Sequence, residues 1–167
     1  MAKRKPVEGK DLMLFIGGKT VALSNSCTLN LNRASNDASS KDDGVWATDT
    51  PGDMSWDISA DGLFSADETD TNNQLAYKEL YEAQVNGTDL TIVFGIVSNK
   101  SQNGLPNDGW IAPSSGGYTG TAHVTSLSAT GAKGNAATFS ASFVGSGPLK
   151  PQTEAAAAAT SDGNGDQ

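Results

Sequence analysis

From Lys19 to Asn32 the chain reads KTVALSNSCTLNLN, and its apolar side chains recur with a period of two. Val21, Leu23, Cys27, Leu29 and Leu31 fall on odd positions. Thr20, Ala22, Ser24, Ser26, Thr28, Asn30 and Asn32 fall on even ones, and only Asn25 breaks the odd face. Successive side chains of a strand point to opposite faces, so the run predicts one strand with a buried face and a wet face. It is about twice the usual strand length of roughly 5–6 residues. A strand that long needs a large sheet, or a second subunit, to pair with. Composition agrees. Hydrophobic residues make up 37% and charged residues 18%, and the remainder is rich in Gly, Ser, Thr and Asn. A helical bundle would carry far more Leu, Glu and Lys.

Other segments extend the pattern. DLMLFIGGKTVAL reads as strand, turn, strand, with Gly17-Gly18 tolerating the positive φ of a tight hairpin. Residues 33–53 are polar and rich in turn formers, which predicts a loop. MSWDISA alternates again, with Met54, Trp56, Ile58 and Ala60 on one face. In TNNQLAYKELYEAQVNG, Thr71 and Gln74 have capping-box spacing. Ala76, Tyr77, Leu80, Tyr81 and Gln84 line one stripe, and Asn86-Gly87 give a stop. A stripe that narrow predicts a helix lying on a sheet or in a subunit joint. Leu90–Val97 is a continuous apolar run, fitting a strand covered on both faces. A loop with Trp110 follows, then a closing hairpin turning at 131–134.

The expected fold is therefore mainly β, a sandwich or barrel-like arrangement with one flanking helix, long strands and extended loops. Its expected parts are an arm over 1–9, a folded domain over 10–150 with its helix near 71–86, and a low-complexity tail over 151–167. The whole chain has 167 residues, enough for one domain with a real core.

Chemistry is hard to find. Net charge is −8, which repels phosphate and argues against tight nucleic-acid binding. A secretory signal needs an apolar stretch of roughly 7–15 residues behind its basic start. Only Leu12–Ile16 follows the basic opening, so the expectation is no signal, no membrane partner and assembly in a cytoplasm. The single Cys27 excludes an intrachain disulfide. Cys27 and His123 are the only candidates for a nucleophilic pair, but Cys27 sits on an apolar strand face. One Cys and one His cannot build a zinc site. Asp61, Asp67, Glu68 and Asp70 lack the spacing of a calcium loop. GAKGN at 131–135 lies between strands and fits a hairpin turn, not a phosphate cradle. No catalytic, cofactor or metal residue is expected.

The order of motifs is informative where each alone is not. GKDLMLFIGGKTVA, SSKDDGVW, PGDMSWDISADGLF, YKELYEA, LTIVFGIVS, GYTGTAHVTSLS and NAATFSASFVGSGPL succeed one another. This succession resembles the major tail protein, or tail tube, family of long-tailed bacteriophages, from about Gly9 to Leu149. The resemblance implies a tail-tube β-sandwich that stacks as hexameric rings into a hollow tube for DNA ejection. It implies as partners other copies of the chain, a tape measure protein and tail-end or baseplate proteins, with DNA passing transiently through the lumen. It places the protein in the virion tail, assembled in the host bacterial cytoplasm. Extended arms, including the Lys41–Trp46 loop, would reach adjacent rings. Candidate subunit or ring contacts are Lys41, Asp42, Asp43, Trp46, Pro51, Trp56, Tyr77, Tyr81 and Trp110. Trp56 also fits a core position. A carbohydrate-binding sandwich, with Trp46 and Trp110 stacking on sugars, is the alternative.

Overall fold

The computed structural model describes residues 4–65, 74–100 and 103–153. A 3-10 turn, Gly9–Asp11, leads into β1 (Leu12–Ile16), β2 (Lys19–Val21), β3 (Ser24–Asp37), β4 (Asp49–Leu63) and β5 (Gln74–Leu75). Then come α1 (Tyr77–Asn86), β6 (Leu90–Ile96), β7 (Tyr118–Thr130) and β8 (Thr138–Pro151). All eight strands join one sheet in the order β3-β4-β8-β7-β6-β1-β2-β5. Neighbours are antiparallel except β2 and β5.

The sheet curls over its own core, which accounts for the barrel-like character. β3 and β1 stand far apart in strand order, yet the Cys27 thiol donates to the Leu12 carbonyl at 3.5 Å. Inside lie Leu14, Ile16, Val21, Trp56, Ile58, Ile92, Phe94, Val124, Phe139 and Phe143. Strand register sets them in rows. Leu29, Ile58, Phe143 and Val124 are successive partners across four strands, as are Cys27, Ala60, Ala141 and Leu127. Ile92 and Phe94 of β6 face this core, while Val93 between them is only half-buried. On the far side of β6, Pro113 crosses Gly95, where a Cβ would meet its ring at 2.9 Å.

Several sequence expectations need correction. The Lys19–Asn32 run is two strands, because Leu23 takes a left-handed φ of 52° and turns the chain from β2 into β3. Residues 33–37 and 49–53 are not loop; they extend β3 and β4 into one long ribbon. The helix starts at Tyr77, and Gln74–Leu75 form a strand instead; Thr71 lies outside the described residues. The cap is half a capping box. The Glu79 carboxylate accepts the Ala76 N–H at 3.0 Å, but the Ala76 methyl has nothing to return. Helix α1 lies against β7, with Leu80 buried and the Gln84 amide donating to the Thr125 carbonyl at 3.3 Å. Tyr81, expected on the packed stripe, is 54% exposed.

Candidate functional site

Three features could act on a partner. The first is the outer face of β3, β4, β8 and β7. Register places Ser26, Asp61, Ser140 and Ser128 in one row, then Thr28, Ser59, Ser142 and Ser126. A third row holds Asn30, Asp57, Val144 and His123. None of these positions is Lys or Arg. The two carboxylates are held against the sheet. Asn30 Nδ2 donates to Asp57 Oδ2 at 2.8 Å, and Asn32 Nδ2 to Oδ1 at 3.3 Å. The Ser26 hydroxyl donates to Asp61 at 3.2 Å.

The second feature is the arm. β4 pairs with β8 only from Asp57 onward, so residues 49–56 have β3 as their sole described partner. From Asn32 to Ser55 every residue is exposed except the partly covered Asp43 and Gly52. At roughly 3.3 Å per residue the ribbon projects about 20 Å from the body. Its tip is locally ordered by short side chains. Ser39 N–H donates to Asp37 Oδ1 at 2.8 Å, the Ser40 N–H to Asp43, and the Asp42 N–H to the Ser40 hydroxyl. Hydrogen bonds from the Ser39 side chain and backbone hold the Asp37 carboxyl below the usual carboxylate range. The tip presents Val45 at 94% and Trp46 at 82% exposure. Leu31 and Met54, each 56% exposed, lie at the arm's base.

The third feature is a cavity of about 520 Å³ at the other end of β3. Leu12, Leu14, Val21, Leu105 and Trp110 contribute apolar walls. Thr20 also lines it and is 3% exposed; its Oγ1 is shut off from solvent and has no hydrogen-bond partner among the described residues.

The predicted contact residues therefore divide. Lys41, Asp42, Trp46 and Pro51 are exposed on the arm, with Asp43 partly covered among them. Trp110 is half-buried in the cavity wall. Tyr77 braces the fold, its ring 5.1 Å from Phe64 and 6.2 Å from Phe139. Trp56 is 4% exposed and lies over Gly145 and Gly120 with its N–H on the Gly147 carbonyl at 3.0 Å. Its indole is a core anchor and is not available to a neighbour. Sequence reasoning missed the cavity and the unpartnered Thr20. Among the described residues, no group of three His, Cys, Asp or Glu could hold a metal ion; Asp67, Glu68 and Asp70 lie outside them.

The fold and these surfaces can be set beside known proteins. A family model described as phage tail tube protein matches residues 7–151. The chain belongs to the phage tail tube protein family. It is a structural protein of the virion tail. Its fold is similar to that of the tail of an empty gene transfer agent particle, computed with helical refinement and C6 symmetry. That match has a TM-score of 0.66 and 19% identity, over 89% of this chain and 100% of that one. The virion of a native gene transfer agent gives 0.65 and 18%, with the same coverage. The SPP1 tail tube, a hybrid of solid-state NMR and cryo-electron microscopy, gives 0.56 and 15% over 89% of this chain and 80% of that one. No curated protein matches the tail tube chain.

Proposed function

We propose that six copies of this chain close into a ring and that the rings stack into a hollow tube, a conduit for DNA with no catalytic step. The observation that carries this reading is the polar sheet face beside the edge of β3, which among the described residues pairs with β4 alone. A fourteen-residue strand at a sheet edge is an aggregation hazard unless another strand covers it. Edge pairing between copies would close a barrel and remove that hazard. Its inner wall would then be the rows of Ser, Thr, Asn and Asp described above. Phosphates sliding along such a wall meet hydroxyls, amides and two carboxylates per copy, with no cation in those rows to grip them.

The C6 symmetry of the similar gene transfer agent tail supports the ring number. The exposed arm would reach the adjacent ring. A tape measure protein and tail-end or baseplate proteins would complete the tail, with assembly in the host bacterial cytoplasm. The carbohydrate reading lacks a platform. Trp46 and Trp110 lie toward opposite ends of β3, about 30 Å apart along the strand.

Negative-stain electron microscopy of the purified chain at high concentration tests the proposal. Six-lobed rings or hollow tubes are expected. A monomer that stays dispersed even with its tail-end proteins present, and whose Trp fluorescence is quenched by glycans, would overturn it.

A further inference from the structure

The arm tip and the cavity are complementary, and they sit at opposite ends of one strand. The tip carries a solvated indole and an isopropyl group that nothing in their own chain covers. Exposing two such side chains at the end of a ribbon costs solubility, so a chain keeps them when something buries them. The cavity has the converse composition. It is walled by Leu, Val and Trp. The cavity's 520 Å³ falls in the roughly 300–1,000 Å³ range of sites that enclose small molecules.

Self-occupancy is ruled out by geometry. Cys27 lines the cavity and Asp37 ends the same strand, a run of about 30 Å before the tip loop begins. A knob at one end and a hole at the other make a head-to-tail interface, which propagates as an open stack.

We propose that the Trp46 side chain of one copy docks in the cavity of a second copy in the next ring. This rests on the tube reading and adds the receptor for the arm. Trp46 is the anchor, Val45 packs beside it at the mouth, and Trp110 forms one wall.

The test is cross-linking in assembled tubes. In a Cys27→Ser background, Val45→Cys and Leu105→Cys are combined, which leaves the Trp46 anchor in place; Leu105 is 38% exposed at the cavity. Oxidation with copper phenanthroline should give a ladder of covalent oligomers on a non-reducing gel, and neither single cysteine variant should. Trp46→Ala should raise the critical concentration for tube formation at least about thirtyfold, as expected for an interface hot spot. Tubes that form without a ladder, with Trp46→Ala assembling at the parent concentration, overturn the docking and leave the tube reading intact. A parent chain that forms neither rings nor tubes overturns both.

Discussion

The sharpest test of the core is Gly145→Ala. A Cβ built on Gly145 overlaps the Trp56 indole at Cε2, Cδ2 and Nε1. A Cβ on Gly120 would stand 2.6 Å from Cζ2 of the same ring, so the indole is seated on the backbones of both β8 and β7. Carbon atoms pack at about 3.5–4.0 Å, so the ring would have to withdraw by more than 1 Å, roughly. It has nowhere to go, being 4% exposed and tied by its N–H to the Gly147 carbonyl. Overpacking of this kind costs about 1–3 kcal/mol, and stranding the indole N–H about 1–3 kcal/mol more. Against that, Gly→Ala lowers unfolded-state entropy and returns about 0.4–1 kcal/mol, since Gly145 is not among the positive-φ glycines. The net is about 1–6 kcal/mol, centred near about 3 kcal/mol. At roughly 2–4 °C per kcal/mol for a chain of this size, that central value lowers Tm by about 6–12 °C. Thermal unfolding followed by circular dichroism measures it. Gly131→Ala is the control, because nothing lies within 4 Å of that Cβ; it should stay within about 0.5 kcal/mol of the parent. Adding Trp56→Leu should remove most of the Gly145→Ala cost in a double-mutant cycle, with a coupling of about 2 kcal/mol. If Gly145→Ala melts within 2 °C or so of the parent, or if its cost persists unchanged beside Trp56→Leu, the account of Trp56 as a core anchor seated on those glycines fails.

Three further outcomes are expected. Ala76→Ser supplies the missing half of the helix cap, since Ala76 already has the extended φ and ψ of an N-cap; chemical denaturation should find about 0.5–1 kcal/mol of added stability. Burial pushes the Cys27 thiol up, so reaction with a soluble disulfide reagent should be slow at neutral pH and accelerate only above the usual thiol range. The same shift favours the folded state below the unfolded thiol pKa and is lost as pH rises through the folded one; a thiol that labels at the free-cysteine rate at pH 7 or so would contradict it. Asp61→Lys places a cation on the polar sheet face while losing only the Ser26 hydrogen bond. Particles should assemble normally by electron microscopy yet lose infectivity or transfer, and unchanged delivery would argue that this face does not line the lumen.

Much of the fold was legible because burial writes a period into sequence. The alternation of Met54 to Ala60 located β4, the closing hairpin turn at 131–134 located the join of β7 and β8, and the apolar Leu90–Val97 run located β6. The failures have the same origin. Residues 33–37 and 49–53 form strands that bury almost nothing, so they carry no alternation, and their Asp, Ser, Pro and Gly read as loop. The break at Leu23 was invisible because leucine is not a turn residue, and the odd-position pattern happens to continue on both sides of it. Trp56 could not be assigned from its own segment. What seats it is the absence of side chains at Gly120 and Gly145, on strands it meets only after folding. The cavity draws on β1, β2, β3 and the loop carrying Trp110, and no local pattern announces such a convergence.

That division between what was legible and what was not also separates folding from assembly. The core closes within one chain: Trp56, Ile58, Phe139 and Phe143 need no neighbour to be buried. The arm contributes nothing to that core, since Val45, Trp46, Leu31 and Met54 are all largely solvated. Substitutions on the arm should therefore leave the melting temperature of the monomer unchanged while altering assembly, and substitutions under Trp56 should do the reverse. A tail subunit benefits from such separation. It must fold and remain dispersed before a tail tip is available, then polymerise without refolding. A fold that depended on the arm would couple the two steps, and the unpaired edge of β3 would then be exposed on a partly folded chain, where edge-to-edge aggregation is hardest to avoid.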